Sequence, residues 1–188
     1  MSTQLSLHAV SKSYDHHLVL DQLTAAFPPG QVSGLIGQNG SGKSTLLDVL
    51  AGALSPSEGF VARRGRIGYL RQEVIEPRPD ETLRRALGRS PGATGLGLFR
   101  PEQLITRVGA LSTGQRRRLA LARLLTTPFD VLLLDEPTNH LSLALVEELE
   151  AALDGYAGAL VVVSHDRRFI ARWRGTVVDL KESSLVSH

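Results

Sequence analysis

Residues 34–52, which read GLIGQNGSGKSTLLDVLAG, contain glycines, a lysine and a serine at a spacing that suits phosphate binding. They fit the pattern G-x-x-x-x-G-K-[ST] through Gly37, Gly42, Lys43 and Ser44. Glycines let the backbone fold so that its N–H groups point at a phosphate, and a helix beginning near Lys43 adds partial positive charge. The pattern predicts a nucleoside triphosphate site in which Lys43 pairs with the β- and γ-phosphates and Ser44 holds Mg²⁺. The residues expected to contact the nucleotide are Gly37, Gln38, Asn39, Gly40, Ser41, Gly42, Lys43, Ser44 and Thr45.

A second segment, FDVLLLDEP at residues 129–137, supplies two adjacent carboxylates. Its apolar residues predict a buried strand, and Asp135 and Glu136 follow at the end of that strand, where ligands bind in open α/β sheets. We expect Asp135 to hold Mg²⁺ through water and Glu136 to polarise an attacking water. The alternative, that these carboxylates only end a strand and begin a turn, is disfavoured by the phosphate-binding pattern upstream.

The apolar patterns along the chain predict an α/β fold with a mainly parallel central sheet. Continuous apolar runs are typical of strands covered by helices on both faces, whereas the alternation near the N-terminus favours an antiparallel or edge strand. Strands that alternate with helices indicate βαβ crossovers. The predicted strands are 4–10, 31–36, 66–71, 130–135, 159–163 and 176–180; the predicted helices are 43–52, 80–88, 114–126, 143–154 and 166–173; residues 88–101 are a predicted loop.

Composition limits the function classes. A length of 188 residues with 42% hydrophobic content fits one domain with one core. The absence of cysteine excludes disulfides, thiolate metal sites and a cysteine nucleophile. The sequence has neither the apolar core of a signal peptide nor a run approaching the roughly 20 apolar residues of a membrane span, so a cytoplasmic location is expected. A net charge of +2 gives little indication of any partner.

Five ordered motifs make the sequence similar to ABC-type ATPase domains. ALSTGQRRRLALARLL at 110–125 resembles the signature helix of that family, whose usual core is LSGGQ, and it precedes the Asp135 strand as the family requires. YLRQE at 69–73 resembles the Q-loop, and VVVSHDRRF at 161–169 resembles the switch region. The resemblance implies a P-loop NTPase fold with a small antiparallel N-terminal β subdomain and a helical subdomain.

The resemblance also implies roles for single residues. Gln72 becomes a ligand to Mg²⁺ and the attacking water, and His165 a contact to the γ-phosphate. Tyr14 falls where an aromatic residue stacks on the adenine of ATP. The alternatives are a strand-end histidine bonded to backbone for His165 and an ordinary half-buried tyrosine for Tyr14.

The signature helix implies a dimer. Ser112, Gly114 and Gln115 would approach the γ-phosphate of an ATP bound by another ABC-type domain, in a homodimer or with a related chain. Thr113 stands where the family usually has glycine, whereas Ser112 and Gly114 match the family. The arginines at 116–118 have a simpler alternative, a solvated helix face.

The segment LLLDEPTNHLSLALVEELEAAL at 132–153, together with SHDRRF, resembles the ABC-F branch. Members of that branch are soluble, act on ribosomes and in some cases confer antibiotic resistance. Ser142, which replaces the usual aspartate, is still able to cap the helix that follows. The leading hypothesis is an ATPase that dimerises on ATP and acts on the ribosome.

The length of the chain suggests a shortened form of that branch. Only 38 residues separate Gln72 from Leu111, so the helical subdomain, about 73–110, should be reduced within a single domain of residues 1–188. ABC-F proteins usually contain two ATPase domains joined by a helical linker, which suggests descent from a tandem protein by internal deletion. Two other functions stay open: the ATP-binding subunit of a transporter, and a degenerate nucleotide-binding module with little turnover.

Overall fold

The computed structural model describes residues 5–72, 78–88, 99–139, 141–164, 176–181 and 184–187. The chain divides into two compact units. The sheet unit comprises Met1–Arg71, Phe129–Pro137 and Tyr156–His188. The helical unit comprises Gln72–Pro128 and Thr138–Gly155.

A six-stranded sheet forms the centre of the sheet unit, with the strand order β5-β6-β7-β3-β8-β9. All neighbouring strands are parallel except β8 and β9, which are antiparallel. Every residue of β6 and β7 is buried, as their continuous apolar sequences predict. The strands are β3 Val32–Ile36, β5 Ile67–Leu70, β6 Val131–Asp135, β7 Ala159–Val163, β8 Thr176–Lys181 and β9 Ser184–Ser187.

A three-stranded antiparallel sheet of order β2-β1-β4 completes the strands of this unit. It contains β1 Leu5–Tyr14, β2 His17–Phe27 and β4 Glu58–Arg63. Asp15 and His16, with φ of 43° and 76°, form the two-residue turn between β1 and β2. The two sheets confirm the predicted α/β fold class, including the small antiparallel part.

Helix α1, Lys43–Ala51, packs its apolar side on strands of the sheet unit. Four of its leucine and valine side chains are buried together with Leu133 and Val161 of β6 and β7. Gly52 ends the helix in the left-handed conformation, with φ of 79°. The predicted helix at 43–52 is therefore confirmed to within one residue. The four buried side chains are Leu46, Leu47, Val49 and Leu50.

The helical unit contains α2 Leu83–Leu87, two 3₁₀ helices at Pro101–Ile105 and Val108–Ala110, α3 Thr113–Thr126 and α4 Leu143–Asp154. The predicted helices at 114–126 and 143–154 are confirmed to within one residue, whereas the helix predicted at 80–88 is present but extends only over Leu83–Leu87. The predicted helix at 166–173 and most of the predicted loop at 88–101 lie outside the described residues. The unit has its own apolar core, formed by Leu83, Ala86, Leu87, Phe99, Leu104, Val108, Leu111, Leu119, Ala122 and Leu145.

Helix α4 begins after Ser142, which occupies the N-cap position. The carbonyl of Ser142 accepts the N–H of Val146, but its hydroxyl makes no capping bond within the described residues. The expected side-chain cap is therefore wrong. Leu145, Leu149 and Leu153 form a buried stripe at i, i+4 spacing.

Across the ranges that the structure describes, no helix combines the length and the apolar character needed to cross a membrane.

Candidate nucleotide-binding site

The glycine-rich loop connects the end of β3 with the start of α1. Gly40 and Gly42 have φ of 80° and 92°, in the left-handed region that favours glycine. A Cβ at Gly42 would lie 2.9 Å from Cγ1 of Val19 on β2, and a Cβ at Gly37 would lie 2.8 Å from the carbonyl oxygen of Leu180 on β8. The loop thus needs glycine at position 42 for conformation and at both positions for space.

Lys43 is the first residue of α1 and lies against this loop. Its ammonium donates to the carbonyl oxygens of Gly37 and Gln38, at 2.8 and 2.7 Å, and the residue is buried. Charge is stable in a buried position only when it is bonded in this way. The arrangement places one positive charge on the loop that the sequence predicts to bind phosphates.

Ser44 and Asp135 meet although they are far apart in the chain. The Ser44 hydroxyl, in the first turn of α1, donates to Oδ2 of Asp135 at 2.8 Å. Asp135 ends β6 and is 2% exposed. Mg²⁺ binds oxygen donors and is typically held by one or two protein groups together with substrate phosphates and water. A hydroxyl and a carboxylate at hydrogen-bond distance, next to the glycine-rich loop, fit that requirement.

Glu136 follows Asp135 in a strained conformation. Its φ is 50°, which is uncommon for a residue other than glycine and is often found at functional sites. Its N–H donates to the carbonyl of Val163 at 2.9 Å, which extends the pairing of β6 with β7 by one residue. The side chain is buried. The expected role of Glu136 in orienting water stays a prediction.

Tyr14 lies at the end of β1 and is exposed, with 46% of its surface accessible. The alternative of an ordinary, partly buried tyrosine stays open. The Nζ atom of Lys12 lies 5.2 Å from the centroid of the Tyr14 ring, a cation–π contact. That ammonium also donates to the carbonyl of Ser55 at 3.0 Å, which helps to fix its place. Stacking of Tyr14 on adenine stays a prediction.

The signature residues begin α3 in the helical unit. Ser112 is the N-cap: its hydroxyl accepts the N–H of Gln115 at 3.3 Å, and Oε1 of Gln115 accepts the N–H of Ser112 at 2.8 Å. This is a capping box, and it gives Gln115 a local structural role that the sequence analysis missed. Thr113 is the first helical residue, and Gly114 is partly exposed. Their expected contact with a γ-phosphate stays a prediction.

Gln72 and Arg117 are connected within the helical unit. Nη1 of Arg117 donates to the main-chain carbonyl of Gln72 at 2.7 Å, while the Gln72 residue is exposed. Arg117 is 3% exposed, so the solvated-face alternative is wrong for this arginine. His165, the other residue expected at the γ-phosphate, lies outside the described residues.

Sequence reasoning missed an ion pair beside Tyr69 on β5, formed by Arg71 and Asp48. Nη2 of Arg71 lies 3.1 Å from Oδ1 of Asp48 on α1, and the Arg71 guanidinium lies 5.0 Å from the centroid of the Tyr69 ring. Burial and then the charges of Asp48 and Asp135 raise the pKa of Tyr69 far above its ordinary value. Tyr69 therefore stays neutral at physiological pH.

The family model described as ABC transporter matches residues 20–139. The chain belongs to this ABC family. The matched range contains the glycine-rich loop, Gln72, the start of α3 and the two carboxylates after β6. The motifs that suggested the ABC resemblance therefore lie in one continuous family match, apart from Tyr14 and the switch region.

Relatives of the chain belong to the ABC-F branch, which confirms the resemblance drawn from residues 132–153. The tylosin resistance ATP-binding protein TlrC of Streptomyces fradiae is 55% identical over 157 residues, 79% of this chain and 29% of TlrC. The probable ATP-binding protein YheS of Escherichia coli K12 is 38% identical over 94% of this chain and 29% of YheS. ATP-binding cassette sub-family F member 3 of Rattus norvegicus is 36% identical over 88% of this chain and 25% of that protein. The chain thus spans less than a third of each relative.

Solved ABC structures share the fold. A structure described as the ATP-binding subunit of an ABC transporter superposes with a TM-score of 0.87 at 20% identity, over 99% of this chain and 90% of that one. A dimeric ATP-binding cassette in a post-hydrolysis state, bound to ADP and Pi, gives a TM-score of 0.84 at 22% identity, over 98% and 97% of the two chains. At these identities, the likeness establishes the ABC fold alone.

Proposed function

We propose that this ABC domain binds ATP with Mg²⁺ in the sheet unit and hydrolyses it once a second ABC domain completes the site. The single observation that best supports the proposal is the 2.8 Å contact between Ser44 and Asp135 beside the glycine-rich loop. It joins a helix and a strand at the place where the magnesium ligands of a nucleoside triphosphate are needed.

The reaction would be an in-line attack of water on the γ-phosphate, with release of ADP and phosphate. Lys43 and the loop N–H groups balance the charge of the β- and γ-phosphates, and Glu136 orients the water and accepts its proton. Ser44, Asp135 through water and the Gln72 amide would hold Mg²⁺, which lowers the negative charge of the phosphates when it is bound. His165 is proposed to contact the γ-phosphate, and Tyr14 to stack on adenine.

The second ABC domain supplies Ser112, Gly114 and Gln115 to the γ-phosphate across the dimer. The N-terminus of α3 suits this role because the partial positive charge of a helix N-terminus attracts anions. The dimer described with ADP and Pi supports such an assembly for a domain of this fold.

The ribosome is the partner that we propose for the dimer, with ribosome protection against an antibiotic as the specific outcome and the cytoplasm as the location. The support is the 55% identity to a tylosin resistance protein and the similarity to a sub-family F member. Because the chain spans less than a third of these relatives, their activity is transferred here as a proposal only.

The Glu136→Gln variant tests the dimer and the ribosome together. It keeps the size of the side chain but removes the carboxylate, so ATP should stay bound and hold the dimer together. Glu147→Gln, on the exposed side of α4, is the matched control. With ATP, Glu136→Gln should shift to a dimer in light scattering and pellet with ribosomes, whereas the control should behave like the wild type.

Two other outcomes would contradict the proposal in different ways. ATP binding without dimer or turnover would indicate a degenerate nucleotide-binding module. Association only with a membrane protein complex would indicate a transporter subunit instead.

A further inference from the structure

Arg117 occupies an unfavourable position for a cation. It lies in the second turn of α3, where its side chain is withdrawn from water. Its neighbours Arg116 and Arg118 keep partial exposure, but Arg117 is 3% exposed. Burial of a charge is costly unless strong hydrogen bonds replace the lost water. A contact must therefore compensate for this placement.

One compensating contact is the bond from Nη1 of Arg117 to the carbonyl oxygen of Gln72 at 2.7 Å. A bond from a guanidinium is about twice as strong as one between neutral groups, and the planar group fixes direction as well as distance. The acceptor is the main chain, so the bond holds the backbone of Gln72 and not its amide. The side-chain amide of Gln72 is left for another ligand.

We propose that Arg117 is a positioning residue for Gln72. It fixes the Gln72 main chain to α3, so that the amide at position 72 and the signature residues at the start of α3 move as one piece. This inference rests on the proposed function, because it needs Gln72 to act at Mg²⁺ and the attacking water. The arrangement makes Gln72 respond directly to any displacement of Ser112–Gln115.

The contact between Arg117 and Gln72 is testable without nucleotide by attaching a spin label at position 72. The chain contains no cysteine, so one introduced cysteine gives a unique labelling site. Gln72→Cys leaves the main-chain carbonyl in place and provides one site for a nitroxide label, whose mobility is read by electron paramagnetic resonance. Adding Arg117→Met should shorten the correlation time of the label by about twofold or more. Adding Arg116→Met instead should leave it unchanged. Equal mobility with and without Arg117 would overturn the proposal.

Turnover tests whether the contact matters for the reaction. Arg117→Met should lower kcat about tenfold or more, as expected for a misplaced positioning group, with the Kd for ATP changed by less than about twofold. The Mg²⁺ concentration for half-maximal activity should rise, and Arg117→Lys should restore part of kcat. Thermal unfolding identifies the variants that fold. If Arg117→Met does not fold, the kcat of Arg117→Lys is compared with that of the wild type instead.

A double-mutant cycle then tests whether Arg117 acts through Gln72. In the Gln72→Ala variant, adding Arg117→Met should lower kcat only slightly further. If Arg117→Met lowers kcat tenfold both in the wild type and in Gln72→Ala, the proposal is overturned. If the wild-type chain does not hydrolyse ATP, the proposed function fails, and the label mobility still decides whether Arg117 holds Gln72.

Discussion

The Ser44 hydroxyl donates to Oδ2 of Asp135 at 2.8 Å, joining the first turn of α1 to the last residue of β6. Both partners offer oxygen atoms, and Asp135 is almost completely buried. The pair therefore holds two oxygen donors at a geometry fixed by a helix and a strand of the same unit, as the proposed magnesium site requires.

Asp135→Asn should weaken nucleotide binding only when Mg²⁺ is present. The amide keeps the volume and accepts the Ser44 hydrogen bond through its oxygen, but it lacks the negative charge that attracts the cation. We expect the Kd of ATP to rise about tenfold or more in Mg²⁺ and to change little in EDTA. Titration of a fluorescent ATP analogue measures both values. Asp154→Asn, on the exposed end of α4, is the control, and an equal loss with and without Mg²⁺ would contradict the prediction.

Gly42→Ala should destabilise the glycine-rich loop. The left-handed φ of 92° is strained for alanine, and its Cβ would lie 2.9 Å from Val19. We expect a loss of about 1–3 kcal/mol in the free energy of unfolding. Urea denaturation measures it. Gly155→Ala is the comparison, because its φ is −98° and a Cβ there meets open space; an equal loss in both variants would rule out this explanation.

Arg63 on β4 stabilises the end of α1 that lies opposite the glycine-rich loop. Its guanidinium donates to the carbonyl oxygens of Leu50 and Val49, close to the negative end of the helix. Arg63 is exposed as a whole, like Arg64, but partial desolvation of its guanidinium lowers the pKa of Arg63, and the group stays charged. Arg63→Met should cost about 1.5–3 kcal/mol in unfolding free energy, the usual value for a bond to a charged group.

Arg64→Met is the matched control for Arg63, since Arg64 is the next residue and is exposed. It should leave the urea midpoint nearly unchanged. If Arg63→Met and Arg64→Met lower the free energy of unfolding equally, the hydrogen bonds from Arg63 to α1 do not contribute to stability.

Tyr156 should make the stability fall at alkaline pH. Its hydroxyl donates to the carbonyl of Phe129 at 2.8 Å, and burial, then the charge of Asp130, raises the pKa of Tyr156 from 10.0 to about 12. The unfolded chain therefore loses this proton first, and the contribution of Tyr156, complete below pH 10, disappears as the pH rises to about 12.

The free energy of unfolding, followed from pH 9 to 12 by urea titration, checks this sign. Tyr156→Phe should flatten the alkaline decline relative to the wild type. A Tyr156→Phe curve parallel to the wild type would contradict the prediction.

Local sequence patterns predicted the helices and strands whose apolar residues follow one uninterrupted pattern. The apolar runs of β6 and β7, and the caps and periodicity of α3, gave bounds close to those of the structure. Strands β2 and β4 were missed because their pattern is interrupted. Register shifts occur on both sides of Val10, Gln22 has φ of 44°, and Gly59 has φ of 75°. Such irregularities exchange the two faces of a strand and obscure its alternation.

The site features that the sequence did not predict are contacts between residues that are distant in the chain. Two separate motifs pointed to Ser44 and Asp135, and their expected roles at Mg²⁺ stay predictions. No comparable pattern relates Arg117 to Gln72, or Arg71 to Asp48, since these contacts depend on how separate elements pack. The sequence gives no reason to treat the three arginines at 116–118 differently. Only the orientation of α3 about its axis determines that Arg117 is the buried one.

The neighbours of β3 in the sheet have a consequence for the order of folding. This strand, which precedes the glycine-rich loop, occurs early in the chain, yet both of its partners, β7 and β8, follow the whole helical unit in sequence. Contacts between such distant segments form slowly because long loops must close first. Synthesis proceeds from the N-terminus, so the glycine-rich loop acquires its supporting sheet only after β7 and β8 have been made. The proposed nucleotide site would therefore form late in the maturation of the chain.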